Sequence, residues 1–157
     1  MNINWAHVHL MINHIPVIGM IGIMLLLAYA LIRKSEEVKI VSFGLLVLVA
    51  LATIPVFLTG ERAEDAVKQL PGVTEAFIGR HEEAAEYTLI LMLLVGAAAL
   101  AGLILLRIKG SVPKTIVILV LVLSLLATAA VGFTANLGGE IRHTEIRAGA
   151  LGKEIHR

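Results

Sequence analysis

Apolar residues run along the chain in four long blocks, at residues 15–32, 40–58, 87–106 and 115–135, each rich in Leu, Ile, Val and Ala and without a charged side chain. A helix needs about 20 such residues to cross roughly 30 Å of hydrocarbon. None of the blocks carries the polar stripe that a helix of a soluble bundle turns to water. The pattern therefore predicts an all-α integral membrane four-helix bundle, a single transmembrane domain over residues 1–157. Polar stretches separate the blocks. Those at 33–39 and 107–114 are short, and the one at 59–86 is long. The long one keeps helix formers over 61–70, turns at Pro71-Gly72, and restarts at Thr74, a good N-cap, running unbroken into the third block. The fourth helix is expected to continue past Gly138-Gly139, a candidate bend, through residues 140–147. Helices two to four should thus extend beyond the lipid and carry a polar crown.

Composition strengthens this picture and removes whole classes of chemistry. Hydrophobic residues make up 58% of the 157, and charged residues 16%, against an apolar share of about 45–50% in soluble proteins. The net charge of +1 offers no field for nucleic acid. Cysteine is absent, which excludes disulfides, iron–sulfur clusters and thiolate metal sites, leaving His, Asp, Glu and Met as possible ligands. The first residues lack the basic region of a cleaved signal and no small-residue cleavage site follows, so the first block is expected to be retained.

Charge placement gives an orientation. Six of the 13 Lys and Arg residues sit in the two short connections (Arg33, Lys34, Lys39, Arg107, Lys109, Lys114). Short loops rich in Lys and Arg face the cytoplasm, which predicts an N-out, C-out protein with its long middle segment outside. Ten of the 12 acidic residues then lie outside, and so do all six histidines, His7, His9, His14, His81, His143 and His156.

Helical spacing sorts these polar residues. Asn136, Glu140, His143 and Arg147 fall on one stripe if the fourth helix is unbroken, and Glu140 with His143 forms an E-x-x-H pair, the spacing by which one helix offers two ligands in di-iron bundles. His81 has Ala84, Ala85 and Thr88 on its own face, small enough to leave room beside an imidazole. Glu61 and Asp65 share a face. So do His7, Met11 and His14, whereas His9 points elsewhere. Other residues have plainer readings: His7 as an interfacial residue near Trp5, His156 as inert, Glu64, Lys68 and Glu75 as solvated charges. Pro16, just after His14, starts or kinks a helix, and Pro55 should bend the second span near its outer end.

The run His9-Leu10-Met11-Ile12-Asn13-His14-Ile15-Pro16-Val17 resembles H-P-x-x-V-H-F-P-I, which opens a bacterial family of small four-span membrane proteins, the domain of unknown function numbered two-two-three-one. Leu58-Thr59-Gly60 is similar to the L-T-G closing that family's second helix, and Arg80-His81 to a histidine opening its third. Leu137-Gly138-Gly139-Glu140-Ile141-Arg142-His143 resembles its G-G-E-L-V-Y-R-H ending, one residue shorter between Glu and His. Leu10 and Asn13 depart from the pattern. The resemblance implies a bacterial multi-pass membrane protein; with the charge placement above, the expected location is the inner (cytoplasmic) membrane with both termini periplasmic. It also implies a redox context, since some members are joined to electron-transfer domains.

Three functions remain open. The first is a b-type haem protein passing electrons to or from a periplasmic or membrane partner, with His14, His81 and His143 as axial candidates and Arg62, Arg80 and Arg142 for the propionates. Gly19, Gly22, Ala84 and Ala85 would make room for the macrocycle. The second is a mono- or dinuclear Fe, Cu or Zn site drawn from His9, His14, His81, Glu140 and His143, with Glu61 a further candidate. The third is a cofactor-free accessory subunit, docking through residues 61–86 or packing through small residues at 96–99 and 102, as in a homo-oligomer. A transporter is disfavoured, because no charge sits at midplane. No phosphate loop, Ser-His-Asp order or nucleotide fingerprint appears.

Overall fold

The computed structural model describes residues 4–147, and among these every regular element is helical. A short helix α1 (Trp5–Ile12) leads into α2 (His14–Arg33), followed by α3 (Glu36–Lys68), α4 (Glu75–Lys109) and α5 (Lys114–Arg142), with a 3-10 turn at Thr144–Ile146. Four stretches, Trp5–Arg33, Glu36–Lys68, Glu75–Lys109 and Lys114–Arg142, are long and apolar enough to cross a membrane. Each of the four blocks expected from sequence lies inside one of them.

Local chemistry accounts for the joints. Pro16 has no N–H to give the carbonyl four residues back, that of Ile12, and Ile12 is where α1 ends. Lys34 closes α2 in the left-handed region at φ 53°. Ser35 then caps α3, its hydroxyl accepting from the Val38 amide at 3.3 Å. The 69–74 turn passes through Gly72 at φ 76°. Thr74 occupies the N-cap position of α4 with extended backbone, although its side chain makes no capping bond. Gly110, at φ 73°, terminates α4.

The four long helices pack up and down, α2 on α3, α3 on α4, α4 on α5, and α5 back on α2, while α1 lies against α3. Met20, Leu27, Phe43, Leu46, Met92, Val95 and Val120 form a fully buried seam. Small residues set how closely the helices approach. A Cβ on Gly96 would stand 2.6 Å from that of Ala50, and one on Gly102 2.6 Å from Phe43 Cε2. The seam is thin and the outside is greasy: Ile18, Leu25, Leu48, Leu94 and Leu125 are each more than half exposed. An apolar exterior of that extent is what a bilayer covers. Ser42 donates to the Val38 carbonyl, Thr53 to Val49 and Thr128 to Ser124, each within its own helix, whereas the fully buried Ser124 hydroxyl has no partner among the described residues.

At its C-terminal end α5 departs from expectation. It runs unbroken through Gly138-Gly139, yet it stops at Arg142 rather than reaching residue 147. The Arg147 guanidinium folds back, donating to the carbonyls of Glu140 at 2.8 Å and Ile141 at 3.1 Å, and stacks over Phe77 at 4.2 Å. Those last-turn carbonyls are thereby satisfied without another helical turn. His143 becomes the C-cap with extended backbone, so neither it nor Arg147 stays on the stripe of Asn136 and Glu140.

Candidate functional site

One end of the bundle collects the five described histidines together with α1, the 69–74 turn and the end of α5; His156 lies outside the described residues. Two of the five meet. The imidazoles of His9 and His81 have centroids 6.5 Å apart with planes at 76°. Both rings are partly buried.

The two are held by the same local device. His9 places Nδ1 3.0 Å from the Val56 carbonyl of α3, and His81 places Nδ1 3.0 Å from the Thr134 carbonyl of α5. A carbonyl only accepts, so each ring carries its proton on Nδ1, leaving the Nε2 lone pair free when the ring is neutral. Four residues after each carbonyl comes a glycine, and the imidazole lies where that glycine's side chain would be. A Cβ on Gly60 would stand 3.2 Å from His9 Cε1, and one on Gly138 3.0 Å from His81 Cε1. The module of imidazole, carbonyl and glycine thus occurs twice, once in each half of the chain.

Hydroxyls tighten both modules. Thr59 accepts from His9 Nδ1 at 3.3 Å and gives its own proton to the carbonyls of Pro55 and Val56. Thr88 and Thr134 share a 2.8 Å hydrogen bond, and Thr134 donates to the Ala84 carbonyl at 3.2 Å. Ala84 and Thr88 therefore carry the α4–α5 contact below His81 instead of leaving open space. Gly19 and Gly22 do not face the pair either. They line an apolar groove of about 430 Å³ between α2 and α3, beside Ile15, Ile18, Leu48 and Val49.

The other expected residues are dispersed. His14 is exposed and donates from Nδ1 to the Leu10 carbonyl at 3.1 Å on the preceding turn. His143 is exposed and lies 2.9 Å from Glu145. That contact, after the backbone of Glu145 itself, holds the Glu145 carboxyl below its ordinary range. Glu140 accepts from Asn136 at 3.0 Å and lies 3.8 Å from Arg80. The Arg62 guanidinium covers the Trp5 ring at 4.6 Å. Among the described residues no three His, Asp or Glu side chains come together closely enough to hold one metal ion. The set drawn from His9, His14, His81, Glu140 and His143 is thus not assembled in one place; only His9 and His81 adjoin.

The molecule defined by this fold and site is a helical bundle with four spans fit for a membrane and an adjoining, edge-on pair of Nδ1-anchored imidazoles at one end. Comparison with models of known families, with curated proteins and with solved structures gives no match.

Proposed function

We propose that the chain is a small membrane cytochrome, holding a b-type haem between His9 and His81 and exchanging electrons with a partner at that face. The observation that carries this reading is the separation of two imidazoles whose Nε2 lone pairs are both free. With a metal–nitrogen bond of about 2.0–2.1 Å and the ring centre about 1 Å behind its nitrogen, two imidazoles on opposite sides of one metal have centroids about 6 Å apart. The observed 6.5 Å is close to that.

The number of donors supports haem over a bare ion. Structural and catalytic zinc takes three or four protein ligands, and two are present here. Haem brings four nitrogens of its own and asks the protein for the axial pair. Nδ1–H bonds to backbone carbonyls are the usual outer-shell support of such ligands, fixing the tautomer and raising ligand basicity. Arg62, Arg80 and Arg142 stand at the same end as partners for propionates. His9 and His81 would hold the haem, which would supply one-electron redox chemistry; Gly60, Thr59, Gly138 and Thr134 orient the two rings. With the Lys- and Arg-rich connections in the cytoplasm, the site faces the periplasm of a bacterial inner membrane, as the family resemblance also implies.

A visible spectrum of the detergent-purified chain, before and after adding haem, tests this. A sharp Soret band of a six-coordinate haem is expected. His81→Ala should abolish it and His9→Ala should convert it to a five-coordinate spectrum, whereas His14→Ala and His143→Ala leave it unchanged. A colourless protein that takes up no haem would sink the reading. Stoichiometric zinc or copper in its place would favour a non-haem site.

A further inference from the structure

Positive charge is concentrated at the end of the bundle opposite the histidines. Arg33, Lys34, Lys39, Arg107, Lys109 and Lys114 stand there with two carboxylates, Glu36 and Glu37. Lys39 lies 2.6 Å from Glu36, which neutralises both. Arg107 has no carboxylate within ion-pair distance among the described residues.

Beside this charge the apolar surface is hollow. Between the start of α3 and the end of α4 lies a crevice of about 700 Å³ lined by Ile40, Leu103, Ile104, Leu106 and Arg107. Its size falls within the roughly 300–1,000 Å³ of small-molecule sites. Four of the five lining residues are aliphatic. The fifth, Arg107, directly follows the third apolar block, so its guanidinium stands where hydrocarbon gives way to headgroups. The groove between α2 and α3 makes the contrast, because it is lined by apolar residues alone and offers nothing to a headgroup.

We propose that the crevice between α3 and α4 binds an anionic phospholipid of the cytoplasmic leaflet. One acyl chain would lie along Ile40, Leu103 and Ile104, and the phosphodiester would accept from the Arg107 guanidinium. A planar guanidinium offers two parallel donors to a phosphate. The surplus of cations at this end favours a lipid of net negative charge over a zwitterionic one. Glu36 and Glu37 oppose the anion, but Glu36 is spent on Lys39. The site lies far from His9 and His81 and does not depend on the haem reading.

Native mass spectrometry of the full chain, released from micelles carrying phosphatidylglycerol or phosphatidylcholine with the same acyl chains, tests this. Phosphatidylglycerol should be retained with a preference of at least about tenfold, the scale of a hydrogen bond to a charged group. Arg107→Gln should remove most of that preference and Arg107→Lys should keep part of it. Lys68→Gln, at the other end of the bundle, should keep all of it. Arg107 is exposed, so these substitutions spare the packing, and an unchanged thermal midpoint checks that. Ile104→Trp fills the crevice without altering charge and should lower lipid retention. Equal retention of the two lipids by wild type, a preference that survives Arg107→Gln, or an equal loss in Lys68→Gln overturns the site. So does undiminished binding in Ile104→Trp. Displacement of phosphatidylglycerol by an equal concentration of glycerol phosphate overturns it too, since that marks an anion site with no use for an acyl chain.

Discussion

Replacing Gly138 with alanine is expected, on the proposed cytochrome reading, to weaken haem retention by up to about tenfold, a loss set by the roughly 0.5–1.5 kcal/mol of one hydrogen bond. The new methyl would stand 3.0 Å from His81 Cε1. The ring can retreat only by lengthening its 3.0 Å bond to the Thr134 carbonyl, which also fixes the tautomer. Gly60→Ala should act in the same direction and less strongly, because its methyl would stand 3.2 Å from His9 Cε1 rather than 3.0 Å. Gly132→Ala, one and a half turns earlier on α5, is the control. Nothing lies within 4 Å of its Cβ position, and alanine favours a helix over glycine by about 1 kcal/mol. Haem titration of the three variants decides the matter. Equal affinity in Gly138→Ala and Gly132→Ala would mean that the glycine beneath His81 has no part in presenting it.

Gly96→Ala and Gly102→Ala should each destabilise the bundle itself, by about 1–3 kcal/mol, the usual cost of overpacking a filled core. At Gly96 the opposing atom is the Cβ of Ala50, which has no rotamer to change, so the backbones of α3 and α4 must separate. At Gly102 the obstacle is the ring of Phe43, fully buried and already filling its place. The gain in helix propensity only partly offsets this. Gly44→Ala, with open space at its Cβ position, should be neutral or slightly stabilising. Thermal unfolding in one detergent compares them, and an unchanged midpoint in Gly96→Ala would show that the α3–α4 approach is looser than 2.6 Å implies.

Much of the architecture was legible before any coordinates, because lipid imposes a one-dimensional rule. A span must be apolar along its whole length, and that property is written in consecutive residues. Hence the four blocks, the turn at Pro71-Gly72 and the N-cap position of Thr74 all follow from local sequence. The placing of the histidines at one end follows too, because helices that alternate in direction return every second connection to the same side. The end of α5 was not legible. Residues 140–147 have helix-compatible composition, and what halts the helix is a bond from Arg147 back to carbonyls already formed.

The choice among histidines was the least legible part. Helical spacing put His14 on a stripe with His7 and Met11 and left His9 pointing elsewhere, a candidate for a metal site alone. Elsewhere proved to be α3, where its partly buried ring meets His81. His14 turned outward, and its ring is spent on its own helix. Gly60 and Gly138, against which the two rings lie, are each more than 50 positions from their histidines, and no local pattern connects them.

Sequence by itself determined that there are four apolar spans, where they lie, and that imidazoles crowd one end of them, since each of these depends on composition within a few turns. Tertiary structure alone decided which two imidazoles meet. That depends on the rotation of each helix about its axis, set by close contacts such as Gly19 to Val49 and Gly96 to Ala50. It depends also on the packing of α1 against α3, which brings His9 beside His81.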